Sequence, residues 1–277
     1  MSTLHILNLE QRSKEWYEAR CGMVTASSMK DLIAVATPDA LAVECPSCNA
    51  NPQGKCLAAG RKEPTEIKYP HDERKAKAST LPPVYVPADN DTSKALILAL
   101  AAERITNHVE DTYITHDMWR GIDSEPLARD LYADHYTGHE VTNTGFMVRD
   151  FDGFSIGYSP DGLVDDDGLI EIKAPRQKGH LSTIVSDEIP PTHMAQLQTG
   201  LLVSGREWID FVSYAGGMHL WPKRVTPDPA WQTAILAAAE KAEREIRAHL
   251  TTYEKAVAGL PLAELIDFNV VELKGVS

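Results

Sequence analysis

The sequence lacks long apolar stretches, an excess of basic charge and a secretory start. Its apolar runs fall short of the roughly 20 residues that a membrane-spanning helix needs. Acidic side chains outnumber basic ones by 40 to 27, and the formal net charge is −13, which excludes a generally basic nucleic-acid-binding coat. The first residues lack the basic and apolar regions of a signal peptide. We therefore expect a cytoplasmic protein with no membrane partner.

Cysteine is scarce, with 4 residues in 277, but three of the four are clustered. Cys45 and Cys48 are separated by two residues, and Cys56 and His71 follow. In a cytoplasmic protein this spacing favours metal binding over disulfides. Three thiolates and one imidazole are a tetrahedral ligand set, so we predict a structural Zn²⁺ site. The alternatives are a loop with free thiols and an iron–sulfur cluster, for which Cys21 is the only spare thiol.

The pattern along the chain indicates one α/β domain with an inserted segment. Residues 36–92 are rich in proline and charge and have little apolar periodicity, and we interpret 38–80 as the insertion. Helical periodicity predicts two helices within 13–35, the second starting near Thr25, and further helices at 93–109, 120–137, 192–204 and 228–257. Strand-like segments lie at 140–150, 153–158, 168–173 and 208–215. This order predicts a central mixed β-sheet flanked by helices.

Two acids and a lysine lie close together in the middle of the chain. Asp161 belongs to the sequence SPDG, and Glu171 and Lys173 belong to the sequence EIK. Side chains alternate along a strand, so Glu171 and Lys173 should point to the same face. The DDDG stretch at 165–168 predicts a hairpin that brings Asp161 beside Glu171. Such a site suits metal-assisted hydrolysis of a phosphodiester, and the alternative is an acidic surface hairpin.

Four segments of the chain together resemble a known family. In sequence order they are RSKEWYEARCGMVTASSM, GIDSEPLARDLY, SPDGLVDDDGLIEIKAP and MAQLQTGLLVSG. They resemble the phage lambda-type exonucleases, also called YqaJ-like viral recombinases, of the PD-(D/E)XK nuclease superfamily. The resemblance covers about residues 10–35 and 115–225. It implies a restriction-endonuclease-like core for a nuclease domain over 1–277, with 228–257 as its C-terminal helix.

The resemblance also implies roles for the acids. Asp161, Glu171 and the backbone carbonyl of Ile172 would bind catalytic Mg²⁺ or Mn²⁺, and Lys173 would position the attacking water or help to deprotonate it. Glu125 would add a further acid at the metal, and the alternative for Glu125 is capping of the first turn of a helix. A last family acid would correspond to either of two residues, Asp150 or Asp152.

A pocket for the 5′-terminal phosphate is implied by the same resemblance. Its four side chains would be Arg20, Ser27, Ser159 and Gln196. A guanidinium suits this task because it can bind phosphate through two hydrogen bonds. As alternatives, Ser27 would cap a helix and Gln196 would satisfy a buried carbonyl.

The cysteine segment resembles small phage and actinobacterial zinc-finger modules that are thought to bind nucleic acid. The resemblance lies in the sequence ECPSCNANPQGKC and in the later PHDER. Basic clusters are candidates for local DNA contacts, with solvated surface as the alternative. These clusters are Arg61/Lys62, Arg74/Lys75/Lys77 and Arg176/Lys178.

Taken together, the resemblances imply a 5′-to-3′ exonuclease that acts on double-stranded DNA ends and leaves 3′ overhangs for phage-type recombination. They imply a homo-oligomeric ring such as a trimer, a single-strand annealing protein as partner, and the bacterial host cytoplasm as location. The alternatives are a related nuclease of different polarity, an endonuclease of repair or defence, and a non-catalytic DNA-binding module of the same fold.

Overall fold

The computed structural model describes residues 2–58, 65–110, 115–136 and 141–265, so residues 59–64 of the predicted insertion, with Arg61 and Lys62, lie outside the described ranges. The helices are α1 (Lys14–Arg20), α2 (Asp72–Ala78), α3 (Asp91–Thr106), α4 (His116–Tyr136), α5 (Gln177–Ser186), α6 (Met194–Ser204) and α7 (Pro229–Ala256). The strands are β1 (Thr3–Leu7), β2 (Val24–Thr25), β3 (Ile33–Ala36), β4 (Val84–Pro87), β5 (Val141–Thr142), β6 (Phe146–Asp150), β7 (Ser155–Tyr158), β8 (Gly162–Val164), β9 (Gly168–Lys173), β10 (Trp208–Ser213) and β11 (Trp221–Val225). No helix in the described part of the chain is long and apolar enough to cross a membrane.

The strands of the described residues form three sheets. One sheet has the order β1-β6-β7-β2, the second has the order β11-β10-β9-β8-β5, and β3 pairs with β4 alone. Both larger sheets are mixed, because β2 runs parallel to β7 and β10 runs parallel to β9. The predicted α/β class is confirmed, but three sheets replace the predicted single central sheet. Pro160 lies between β7 and β8 and has no N–H group to extend a ladder of hydrogen bonds.

Two apolar clusters cover the two faces of β9. Leu169 packs in the main core with α3, α6 and α7. Ile170 and Ile172 point to the other face and pack with Ala128 and Tyr132 of α4. This alternation places Glu171 on the same face as Leu169. Since α6 is buried over most of its surface, it holds its side chains firmly against this sheet.

The first predicted helix is confirmed and the second is wrong. The hydroxyl of Ser13 caps α1 by accepting a 3.2 Å hydrogen bond from the backbone N–H of Trp16. The second segment instead forms β2, a 3₁₀ turn at Met29–Asp31, and β3. The hydroxyl of Ser28 accepts from the N–H of Thr25 and donates to its carbonyl. Such local side-chain bonds compete with a helix, and the parallel pairing of β2 with β7 stabilises the strand.

The cysteine segment is inserted into a β-hairpin. Ala36 at the end of β3 pairs with Val84 at the start of β4, so residues 37–83 leave and re-enter the fold at one place. The hairpin is fixed to the core through Tyr85, whose ring stacks on Trp231 of α7 with centroids 3.9 Å apart.

Candidate active site and metal centre

Asp161, Glu171 and Lys173 come together beside β9. Antiparallel pairing of β8 with β9 sets Gly162 opposite Ile170, which brings Asp161 next to the end of β9. Oδ2 of Asp161 accepts a 2.6 Å hydrogen bond from the backbone N–H of Ile172. Nζ of Lys173 donates to Oε1 of Glu171 at 2.7 Å. The hairpin signal in the sequence therefore placed these three side chains correctly.

Glu171 is buried, Asp161 and Lys173 are half-buried, and the three side chains together carry an excess of negative charge. Burial, and then repulsion by Glu171, raise the pKa of Asp161 well above its usual range. Burial would lower the pKa of Lys173, but attraction to Glu171 and Asp161 outweighs it, and the pKa rises. The hydroxyl of Tyr158 donates to Oε2 of Glu171 at 3.2 Å, and burial raises the pKa of that hydroxyl. Buried carboxylates in such surroundings fit a hard divalent cation, which would offset their repulsion.

Glu125 is linked to the site through Arg129. Nη2 of Arg129 donates to Oε1 of Glu125 at 2.5 Å, and Nε donates to the backbone carbonyl of Asp161 at 2.6 Å. Glu125 lies well inside α4, so capping of a first turn is excluded as its role. Among the described residues, the carboxylate oxygens of Asp161, Glu171 and Glu125 do not all lie within 4.8 Å of one another.

The structure places Asp150 and Asp152 at the far end of the β6–β7 hairpin. Asp150 pairs with Ser155, whereas Tyr158, which touches Glu171, pairs with Met147 at the other end. Asp150 contacts the hydroxyl of Ser155 at 2.6 Å and Nε2 of His5 at 2.9 Å. Asp152 lies in the turn of the hairpin and is exposed. The contacts of Asp150 therefore join β1, β6 and β7, away from the acids.

A cavity of about 150 Å³ adjoins the acids. It is lined by all four side chains predicted to bind phosphate: Arg20, Ser27, Ser159 and Gln196. Nε2 of Gln196 donates to Oε1 of Glu171 at 2.6 Å, so the cavity and the acids share a wall. The guanidinium of Arg20 lies 4.4 Å from the centre of the Trp16 ring, and burial lowers its pKa. Arginine nevertheless stays charged at neutral pH.

Several site residues were not predicted from the sequence. The indole N–H of Trp16 donates to Oγ of Ser159 at 2.9 Å and thereby fixes one wall of the cavity. Trp16 and Arg20, like Glu125 and Arg129, are four residues apart on a helix and so share a face. This spacing is a signal that could have identified both Trp16 and Arg129. Tyr158 is the residue directly before the SPDG motif.

Cys45, Cys48, Cys56 and His71 form a second site, with ligand atoms within 4.8 Å of one another. Sγ of Cys45 lies 3.3 Å from Nδ1 of His71. Burial would raise the pKa of Cys45, but hydrogen bonds from the backbone of Cys48 and of Ser47 outweigh it and lower the pKa to about 7. The thiolate is the form that binds metal. The donor set and its spacing fit a tetrahedral zinc ion.

Arg74 holds the loops of this second site together. Its side chain is fully buried. The guanidinium donates to the carbonyls of Val43, Asn51 and Gly54 at 2.9, 2.9 and 2.6 Å, and to Sγ of Cys56 at 3.4 Å. The prediction of Arg74 as a DNA contact is therefore wrong, because the charge is used inside the segment.

Known families and solved structures match this chain. Residues 78–207 match the YqaJ-like viral recombinase domain, and residues 11–89 match a putative DNA-binding phage zinc finger domain. An alkaline exonuclease, LHK-Exo from Laribacter hongkongensis, is 27% identical with a TM-score of 0.62. LHK-Exo in complex with dAMP is 26% identical with a TM-score of 0.63. Each comparison covers 90% of this chain and 100% of the other. Comparison with curated proteins gives no match.

These matches define an α/β protein similar to nucleases, with a zinc-finger-like segment near its N-terminus. The resemblance to YqaJ-like viral recombinases is confirmed. The recombinase match contains all the acids of the site, from Glu125 to Glu171. Arg20 and Ser27 fall instead within the zinc-finger match, which extends well beyond the cysteine segment on both sides.

Proposed function

We propose that the protein is a Mg²⁺-dependent deoxyribonuclease that digests one strand of double-stranded DNA from its 5′ end and leaves 3′ single-stranded overhangs. The observation that carries this proposal is the 2.6 Å hydrogen bond from Gln196 to Glu171. It joins the cavity that would bind the terminal phosphate to the acids that would act on the next phosphodiester. The similarity to alkaline exonuclease supports the same conclusion.

The acids fit a divalent cation. Mg²⁺ or Mn²⁺ would be held by Asp161, Glu171, the backbone carbonyl of Ile172 and Glu125. The raised pKa of Asp161 shows that burial and Glu171 disfavour its charged form. When bound, the ion would polarise the scissile phosphate and lower the pKa of a coordinated water.

Lys173 would position the attacking water or help to deprotonate it. Its Nζ lies 2.7 Å from Oε1 of Glu171, so it would also hold that carboxylate in place and stabilise negative charge on the phosphate.

The side chains of the smaller cavity would bind the 5′-terminal phosphate. The guanidinium of Arg20 lies over the ring of Trp16 and would bind two phosphate oxygens. The hydroxyls of Ser27 and Ser159 would donate further hydrogen bonds. An end that lacks this phosphate would leave the half-buried donors of Arg20 and Ser159 without their partner, so the pocket would favour phosphorylated 5′ ends.

The other parts of the proposal rest on the two resemblances. Zn²⁺ would be structural, because protein side chains fill all four positions of the Cys–His site. Residues 38–80 would act as a DNA-contacting insertion and residues 228–257 as the C-terminal helix of one nuclease domain. A homo-oligomeric ring, a single-strand annealing protein as partner and the bacterial host cytoplasm complete the proposal.

One assay tests these assignments. Linear duplexes with a 5′-phosphate or a 5′-hydroxyl, and closed circular DNA, are incubated with Mg²⁺ or with EDTA. We expect nucleotides to be released first from phosphorylated 5′ ends, only with Mg²⁺, and not by Lys173→Ala. Lys94→Ala, on the exposed face of α3, is the matched control.

Three outcomes would contradict the proposal. Cutting of circular DNA would refute exonuclease action. Release from 3′ ends first would refute the polarity. Full activity of Lys173→Ala would refute the site.

A further inference from the structure

A second and larger cavity, of about 500 Å³, lies beside the acids. It shares no lining residue with the smaller cavity. Its walls include the start of α5, part of α4 and the segment after β9: Arg120, Ser124, Ala174, Pro175, Arg176 and Lys178.

The walls of this cavity carry an excess of positive charge. Arg120, Arg176 and Lys178 line it, and Asp117 offsets part of the charge through contacts with Arg120 at 2.6 Å and Arg176 at 3.0 Å. The first N–H groups of α5 open here, and no side chain caps them. Uncapped N–H groups at a helix start attract anions.

Arg120 also has an unused donor. Its Nε atom is buried and has no hydrogen-bond partner within the part of the chain that the structure describes. Buried donors are rarely left unpaired, and a shift of the Arg120 side chain toward the cavity would let this atom donate to an acceptor oxygen of a ligand. Cations, open helix N–H groups and an unpaired guanidinium donor together fit a phosphate.

Two lining residues of the larger cavity are neighbours of site residues in the chain. Nη2 of Arg120 donates to the carbonyl of Ala174 at 3.2 Å, and Ala174 follows Lys173 in the chain. Ser124, on the other wall, precedes Glu125. From Lys173 to Arg176 the chain spans at most about 10 Å, at roughly 3.3–3.6 Å per residue. Arg176 therefore lies within a few nucleotides of Lys173 along a bound DNA strand.

We propose that this cavity binds backbone phosphates of the digested strand on the 3′ side of the scissile bond. The proposal rests on the proposed function. The terminal phosphate would lie in the smaller cavity, the scissile phosphate at the acids, and the following phosphates between Arg120, Arg176 and Lys178. The strand would thus be held on both sides of the bond that is broken.

The salt dependence of DNA binding tests the proposal. Arg176→Gln/Lys178→Gln is compared with wild type and with Lys94→Gln/Lys255→Gln, which removes the same charge from exposed positions on α3 and α7. Binding of a 5′-phosphorylated duplex in EDTA is followed by fluorescence anisotropy. Each lost phosphate contact lowers the slope of log K against log[salt] by about 0.9. Because two contacts are lost, we expect the slope to decrease by about 1.8. Each lost contact then makes the gain in affinity from 1 M to 0.1 M salt roughly eightfold smaller. The control slope should stay close to wild type.

Neutral methylphosphonate linkages locate the contact. Placed at the linkages that directly follow the scissile one, they should weaken binding by wild type and add nothing in Arg176→Gln/Lys178→Gln. Equal weakening of both proteins would overturn the proposal. The proposal would also be overturned if Arg176→Gln/Lys178→Gln lost binding of dAMP while its salt slope for the duplex equalled that of wild type. The cavity would then be a site for the released nucleotide. If wild type released no nucleotides from the phosphorylated duplex with Mg²⁺, the proposed function itself would fail; if wild type bound the duplex and the variant slope were unchanged, only this proposal would fail.

Discussion

Replacing Arg74 with methionine should release the zinc-site loops while the nuclease core stays folded. Arg74 is fully buried and donates to three backbone carbonyls and to the sulfur of Cys56. Methionine is flexible enough to occupy much of the same space, but it donates no hydrogen bond. The four acceptors would therefore lose their partner at once.

The expected loss is about 3–5 kcal/mol. A buried polar group left without its partner costs about 1–3 kcal/mol, and removing one member of a buried charged network typically costs about 3–5 kcal/mol. The residues that offer the carbonyls are partly exposed, so water can replace part of the loss. Zinc binding and folding of such loops are coupled. At about 1.4 kcal/mol per tenfold, the zinc dissociation constant should rise at least about 100-fold.

Competition with a chromophoric chelator measures this change, and thermal unfolding measures stability. Lys75→Met on the same helix is the matched control, because Lys75 is exposed and its ion pair with Asp72 is superficial. An exposed pair of this kind contributes little to stability. The reasoning would be refuted if Arg74→Met held zinc as tightly as Lys75→Met. Retained exonuclease activity in Arg74→Met would show that the loss is local.

Three further predictions concern the active site. In EDTA, the raised pKa of Asp161 should make the contribution of this side chain to stability greatest below its ordinary value of 3.8, and that contribution should be lost as pH rises through the folded-state pKa; the difference between wild type and Asp161→Asn in urea unfolding at several pH values measures this. Trp16→Phe removes the 2.9 Å bond to Ser159, worth about 0.5–1.5 kcal/mol, and should lower the kinetic preference for 5′-phosphorylated ends about 2- to 10-fold. Gly200→Ala would place Cβ 2.8 Å from the ring of Tyr158, and should cost about 1–3 kcal/mol and reduce cleavage.

Each of these predictions has an outcome that would contradict it. An unchanged pH dependence in Asp161→Asn would show that another group controls stability. Equal loss of activity on both kinds of end in Trp16→Phe would indicate a general structural effect. Normal cleavage by Gly200→Ala, with normal stability, would mean that Tyr158 has room to move.

The sequence predicted the acid site well because its signals are local. The DDDG turn and the alternation in β9 lie within one hairpin, and the two strands need no distant partner to be recognised. The segment from Thr25 to Ile33 failed for the opposite reason. Its apolar residues fit a helix, but parallel pairing with β7, far along the chain, decided the structure.

Local sequence patterns also failed to predict that the charged side chain of Arg74 is buried. Arg74 stands among charged residues and so looked exposed, but its acceptors come from separate loops of the insertion. β1 was not predicted because it lies at a sheet edge and is mostly exposed, which leaves little alternation to detect. In both cases contacts between distant segments determined the structure, and the neighbouring residues gave no sign of them.

The hairpin of β3 and β4 makes the cysteine segment an exchangeable module. Ala36 and Val84 are direct partners, so a short turn can join them without moving either strand. Doubling the length of a loop costs only about 0.6 kcal/mol in closure entropy, so the nuclease core is nearly indifferent to what this hairpin carries. Residues 37–83 could therefore be gained, lost or replaced without a change at the acids.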